Sequence, residues 1–477
     1  MIKKNLIYNA LLSVSQFIFP LITFPYSSRI LGPNGIGSIN FIDSFTQYFI
    51  LFAALGIPLY GVREISKHKS DQKALEKSFN EIFLIHIISA FVFSIIYLII
   101  GFLIPNLRAH FDLVLVGITM VIFGVLSAEW LFQGMEKFAY ITSRTLVVRI
   151  ISVALLFIFL KKNSPPVVYY GVLASGVVVN GFINIFYLKR IIKINFSEVA
   201  LKNHLKPLFI ILGSTLAVSV YLLMDSVILG FLQSEKAVGI YATALRIVRL
   251  PLALIGAVNS VIIPRVARAY DQSNYQEINS YAQKSFGIIC VLVFPIVVGI
   301  YISSPFLIHT FAGNKFNESI IPLQILAPLI LIIGFANIVC VQLLAPMEQE
   351  KALLKIYFAS MIFSLVINIF MIKYYSYLGA SIGMILTETF ATVVAYFYLK
   401  KIIDIVFDKR LLMLCSFGSL IFFPIAFIVR SLISNDLIKE ITVIFCCILF
   451  YSSFILLFVK NAFITNLKKM FFSKLST

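Results

Sequence analysis

Fourteen apolar runs, each near the twenty residues a helix needs to cross a hydrocarbon core of about 30 Å, follow one another along this chain of 477 residues. They centre near residues 19, 50, 91, 122, 153, 178, 220, 251, 292, 332, 362, 389, 422 and 449. The runs are continuous rather than alternating, so backbone groups placed in lipid must be satisfied inside helices and not around a closed barrel. With 60% hydrophobic and 13% charged residues and a mean hydropathy of +0.98, the chain has no polar surface with which to dissolve such segments in water. The expected fold is an all-α polytopic membrane protein.

The N-terminus has a basic start and an apolar run, but no small-x-small cleavage pattern ends it, and it reads as the first membrane helix. Orientation follows from the basic residues. With both termini cytoplasmic, inner loops and tails hold 27 of the 39 lysines and arginines, among them Arg63 to Lys77, Lys137 with Arg144, Lys189 to Lys206 and Lys460 to Lys474. Outer loops hold eight. That asymmetry is the positive-inside signature, and it assigns the net charge of +18 to cytoplasmic loops and membrane lipids rather than to nucleic acid. The five cysteines all fall in apolar runs without metal-ligand spacing, as small core residues do. The longest connections, near residues 190 to 206 and 264 to 280, leave no room for a soluble catalytic domain. That removes most enzymes, and the chain is not expected to be one.

A faint internal repeat divides the chain. Leu31-Gly32 matches Leu229-Gly230, Gly37 matches Gly239 after a four-residue insertion, and the same offset pairs Arg63 with Arg265, which makes those two arginines candidates for a cytoplasmic gate. The pattern predicts a lobe over 1–200, a second over 201–402, each of six helices, and a C-terminal helix pair with a cytoplasmic tail over 403–477.

Charged and amide side chains inside apolar runs are the candidate site. "YATALRIVRLPLALIG" carries Arg246 and Arg249 three apart on one helical face. An arginine at mid-membrane costs roughly 2.5–3.5 kcal/mol on insertion scales, so such a pair needs a partner or a cavity. Arg29 and Arg149 also fall within or at the ends of spans. The guanidinium fork of each suits phosphate oxygens. Asn180, Asn184, Asn337 and Gln342 offer polar, uncharged side chains in the same runs. Asp43, in line with Asn40 and Gln47, and Glu129, Asp225 and Glu388 are isolated acids that serve either as structural partners of the arginines or as titrating groups. "GPNGIGS" at Gly32 to Ser38 lacks the Lys-Ser/Thr ending of a phosphate loop and reads as a tight outer turn. The five histidines are scattered, and only His86 is expected inside a helix. No nucleotide or metal motif is present, so no cofactor is expected, and a proton or sodium gradient or downhill supply of the cargo is the expected energy source.

The stretches "YSSRILGPNGIGSINF", "GIPLYGVREISKHK", "EWLFQGMEKFAYITSRTLVVRI", "MDSVILGFLQSEKAVGIYATALRI" and "YLGASIGMILTETF" together resemble the Wzx-type polysaccharide-lipid flippases of the multidrug/oligosaccharidyl-lipid/polysaccharide exporter superfamily. The resemblance implies a bacterial inner-membrane transporter with two six-helix lobes around a central cavity opened alternately to each side. Its cargo would be an undecaprenyl-pyrophosphate-linked oligosaccharide repeat unit, moved to the periplasmic leaflet for O-antigen, capsule or exopolysaccharide synthesis beside other polysaccharide assembly proteins. Fourteen helices, rather than the twelve of many members, resemble the related lipid II flippases, and the extra pair would offer a groove for the polyprenyl tail. The alternatives are a small-molecule antiporter of the same superfamily or a lipid II-type flippase, ahead of an enzyme of the same pathway such as a polysaccharide polymerase or ligase, which is expected to carry a large outer loop.

Overall fold

The computed structural model describes residues 2–197 and 200–458, and these residues form helices and connecting turns without a strand. The expected cytoplasmic tail after the last helix lies outside them. Ten stretches among the described residues are long and apolar enough to cross a membrane, or eleven if the bent pair Asn314–Leu326 and Leu329–Leu344, angled at 42°, is one span. Two of the ten, Ile18–Lys67 and Glu350–Lys400, run to 50 and 51 residues. At 1.5 Å per residue that is roughly 75 Å, more than twice the thickness of a hydrocarbon core.

Residues with left-handed φ break both long stretches: Gly32, and again Leu55 with Gly56, in the first, and Ser376 in the second. In the first helix, α1 (Ile2–Ala54), the break is Gly32 at φ 65°, and Pro33 starts the next helical stretch, where its missing N–H costs nothing. The tight turn expected over Gly32 to Ser38 is therefore one residue wide: Pro33 through Ser38 are helical. In Glu350–Lys400 the break is Ser376 at φ 52°, and Gly379 just beyond it lies so close to the Met371 carbonyl that a Cβ would not fit.

The chain divides into two compact units, residues 1–242 with Phe311–Lys315, and Thr243–Thr310 with 316–477. The first contains α1, α2 (Ile57–Lys67), α3 (Gln72–Leu103), α4 (Phe111–Leu126), α5 (Phe138–Phe159), α6 (Pro166–Leu188), α7 (Lys202–Leu232) and the start of α8 (Glu235–Arg249). Its helix contacts include a crossing without side chains. A Cβ on Gly37 of α1 would meet the Glu235 carbonyl, and one on Gly239 of α8 would meet the Pro33 carbonyl, so the two backbones touch at the glycines that the repeat aligns. On α2, Ile57, Tyr60, Gly61 and Ile65 are buried, whereas Arg63 and Lys67 are exposed.

In the second unit lie α9 (Leu252–Asp271), α10 (Tyr275–Ile302), α11 (Glu350–Lys400), α12 (Lys409–Leu420), α13 (Phe422–Leu432) and α14 (Asp436–Phe458). Between α10 and α11 the backbone passes through a π-helix at Asn337–Leu344. The last helices pack on α10 and leave an apolar groove of about 1160 Å³ between α10, α14 and the turn at Leu250 and Pro251. Its lining is aliphatic and aromatic but for Ser303, Ser452, Cys447 and the hydroxyl of Tyr451.

Candidate functional site

Three of the candidate residues, Glu129, Arg149 and Asn180, line one cavity of about 420 Å³ in the first unit, between α1, α5 and α6. Arg149 sits at the middle of α5, half-buried; it donates to the Ser15 hydroxyl and lies over the Phe19 ring at 5.9 Å. Asn180 donates to the Gly176 carbonyl at 2.8 Å, while its Oδ1 is buried without a partner. Glu129 is bonded to a residue that the charge pattern assigns to a cytoplasmic flank. Arg144 is buried at 6% exposure, one turn and a half before Arg149 on α5, and its guanidinium reaches Glu129 and the Asn184 Oδ1. Asn184 in turn donates to the Ser127 carbonyl and accepts from Tyr140 at 2.8 Å. A buried arginine needs this many acceptors. Asn184 is thus a strut and not a free wall.

The remaining candidates stand elsewhere. Asp43 on α1 accepts from Tyr170 at 3.2 Å, beside a chain of hydroxyls from Tyr170 to Thr46 to Tyr97. Asp225 is buried at 2% exposure and accepts from Tyr241 at 2.7 Å. Arg29 is exposed; it donates to the Pro25 carbonyl at 2.6 Å and packs against Gly313. In the second unit, Glu388 is buried at 4% exposure on α11. Asn337 opens the π-helix and accepts from Asn259 at 2.9 Å. Asn259 accepts from Gln342, whose Oε1 takes the Ser285 hydroxyl at 2.5 Å, so both ends of Gln342 are engaged. Arg265 is exposed, with its guanidinium over the Tyr281 ring at 5.9 Å.

Arg246 and Arg249 do not lie inside a continuous helix. α8 ends at Arg249, because Pro251 lacks an N–H for the ladder and its ring clashes with the preceding turn; α9 begins at Leu252. The two guanidiniums therefore occupy the last turn of α8, where the exposed carbonyls of a helix C-terminus favour cations. Arg246 is half-buried and Arg249 exposed, and the two residues after Arg249, Leu250 and Pro251, already line the apolar groove.

One constellation escaped the sequence reading. His204 lies in the first turn of α7, its Nε2 2.8 Å from Glu81 and its Nδ1 2.8 Å from the Tyr60 hydroxyl. Glu81 also accepts from the Ala200 N–H at 3.0 Å. All four groups are satisfied when Nε2–H donates to Glu81 and Tyr60 donates to Nδ1. Asn80 bonds the Lys193 carbonyl and the Asn195 N–H, and Gln72 bonds the Ile191 carbonyl. Side chains of α3 thus strap down the connection from α6 to α7. His309 is likewise helical, in Ser304–Phe311, so His86 is not alone in a helix.

Membrane-length helices that hold paired charges and amide networks inside them make a multi-pass membrane fold. The family model described as "Polysaccharide biosynthesis protein" matches residues 2–270, more than half of the chain, and the chain belongs to that family. A second model, "MatE", matches residues 211–372. Similar curated proteins include the putative O-antigen transporter of Escherichia coli strain K12, 23% identical over 84% of this chain and 97% of that one. The probable low-salt glycan biosynthesis flippase Agl15 of Haloferax volcanii is 27% identical over half of each chain. Among solved structures, an inward closed form of the lipid II flippase MurJ aligns with a TM-score of 0.79 at 14% identity, covering 94% of this chain and 98% of that one. An inward-facing MATE-family multidrug transporter aligns at 0.66, covering 81% and 94%. The expected all-α, MATE-like polytopic fold is the one observed, and the relatives bear the names of transporters and flippases rather than of catalysts.

Proposed function

We propose that this protein is a flippase that carries a polyprenyl-pyrophosphate-linked oligosaccharide repeat unit from the cytoplasmic to the periplasmic leaflet of the inner membrane, with both termini cytoplasmic. The observation that carries the reading is the junction at Arg249. A cationic helix end passes, within one residue, into an apolar groove of about 1160 Å³. A lipid-linked pyrophosphate has the same two parts in the same order, an anionic head joined to a long hydrocarbon. Arg246 and Arg249 would replace the head's hydration with charge-assisted, bidentate hydrogen bonds, and the groove beside α14 would take isoprene units. The relatives' names, an O-antigen transporter and a glycan biosynthesis flippase, support a cargo of this class.

In this reading the long stretches broken at Gly32 and Ser376 each count as two crossings, and with the bent pair and Lys202–Leu232 as one crossing each the path comes to fourteen. Asp43, Glu129, Asp225 and Glu388 are the acids on which a proton or sodium gradient would act, and Arg63 and Arg265 the cytoplasmic gate. Deleting the gene in its host and extracting lipid-linked sugars tests the proposal. Accumulation of the complete repeat unit on its lipid carrier, with loss of surface polymer, is the expected result; unchanged polymer with no accumulated intermediate contradicts it.

A further inference from the structure

Around the cavity of the first unit, counting Arg144 behind its wall, positive charges outnumber negative by one. Two guanidiniums, Arg144 and Arg149, stand near a single carboxylate, Glu129, and Glu129 is ion-paired with Arg144. Among the described residues no carboxylate is ion-paired with Arg149, although it lies at mid-helix on a segment of membrane-crossing length. An intramembrane arginine without an acid needs a bound anion or access to water. Uncharged polar groups surround it. The Asn180 Oδ1 is buried and unpartnered, and neither Gln16 nor Ser152 has a hydrogen-bond partner among the described residues. The Phe19 ring beneath Arg149 adds an aromatic face.

One cation, several neutral donors and acceptors, and one ring face fit a sugar acid better than a phosphate. A pyrophosphate offers acceptors only and would leave the Asn180 carbonyl oxygen unpaired, whereas a pyranose hydroxyl donates to it. At about 420 Å³ the cavity is small for a lipid-linked oligosaccharide but within the roughly 300–1,000 Å³ of small-molecule sites. We propose that this cavity is a subsite for one carboxylate-bearing sugar residue of the cargo, with Arg149 holding the carboxylate and Asn180 a ring hydroxyl. The inference rests on the flippase reading for its cargo, but assigns Arg149 to the glycan and leaves the pyrophosphate to Arg246 and Arg249. Arg144 is then a positioning residue: by engaging Glu129 it keeps that carboxylate off Arg149.

The test is ligand binding to the purified full-length protein in nanodiscs, read by calorimetry and by thermal shift, with glucuronate, glucose and inorganic pyrophosphate as probes. Glucuronate should bind roughly tenfold or more tightly than glucose, the order expected of a hydrogen bond to a charged group. Arg149→Gln should bring glucuronate down to the level of glucose without lowering the unliganded Tm, since removing a mid-membrane charge does not cost stability. Arg149→Lys should fall between, and Asn180→Ala should weaken both sugars. Equal binding of glucuronate and glucose, no Arg149-dependent glucuronate binding, or pyrophosphate binding that Arg149→Gln abolishes would each overturn the subsite. Because binding is read on isolated protein, its outcome is separate from whether the chain moves lipid-linked cargo in cells.

Discussion

Arg144 is the residue whose role was least visible before folding. Its place in "MEKFAYITSRTL" put it beside Lys137 in a cytoplasmic flank, since basic residues near span ends usually face the cytoplasm. The helix instead starts at Phe138 and turns Arg144 inward onto Glu129 and Asn184, residues 15 and 40 positions away that no local pattern connects. Glu129, Arg149 and Asn180 were legible as polar exceptions in apolar runs. That they share one cavity was not, because three different segments supply them. The pairing gives a stability difference. Arg144→Ala should lower the folded protein's stability by about 2–3 kcal/mol, less than the ~3–5 kcal/mol of a fully buried pair because Glu129 is 40% exposed. Arg149→Ala should leave it nearly unchanged. Thermal unfolding of both variants in detergent checks the order; equal losses would mean that Arg144 is not the structural member of the two.

At the scale of elements, helix existence was written in the apolar runs, and breaks were written only where glycine or proline marked them. Gly32-Pro33 and Pro251 announce theirs; Ser376, in "KYYSYLGA", has no such mark and is held by the packing of Gly379 on Met371. The repeat glycines had a use that their alignment did not disclose. Gly37 and Gly239 let α1 and α8 touch backbone to backbone, so Gly37→Leu or Gly239→Val should cost more than the roughly 1–3 kcal/mol of ordinary overpacking and remove most membrane-inserted protein. Normal yield of either variant would refute the crossing. The strap from α3 was invisible for the reason that Arg144 was: Tyr60, Glu81 and His204 are far apart in sequence. Glu81→Ala removes the acceptor of both His204 and Ala200, and the connection near Lys193 should then become cleavable by trypsin in inside-out vesicles while the parent protein resists. Equal cleavage of the two would show that the strap does not restrain the connection.

For the whole molecule, the charge asymmetry and the helix lengths together specify a path through the membrane. In a background lacking the five native cysteines, Ser70→Cys and Ala200→Cys should stay protected from an impermeant thiol reagent added outside, and Asn163→Cys and Asn314→Cys should react. The opposite pattern would invert the topology and with it the direction of transport. What the chain does along that path rests on the cationic end of α8 and the groove that follows it. The most direct measurement reconstitutes the purified protein in liposomes carrying a lipid-linked oligosaccharide on one leaflet and follows its exposure to an impermeant glycosidase on the other. The parent protein should expose the cargo with time; Arg246→Ala with Arg249→Ala, inserted to the same level, should slow exposure at least tenfold, and lysine at both positions should restore it only in part, because an ammonium keeps the attraction and loses the bidentate fork. Exposure at the rate of protein-free liposomes, or an undiminished rate in the double-alanine variant, would contradict the account.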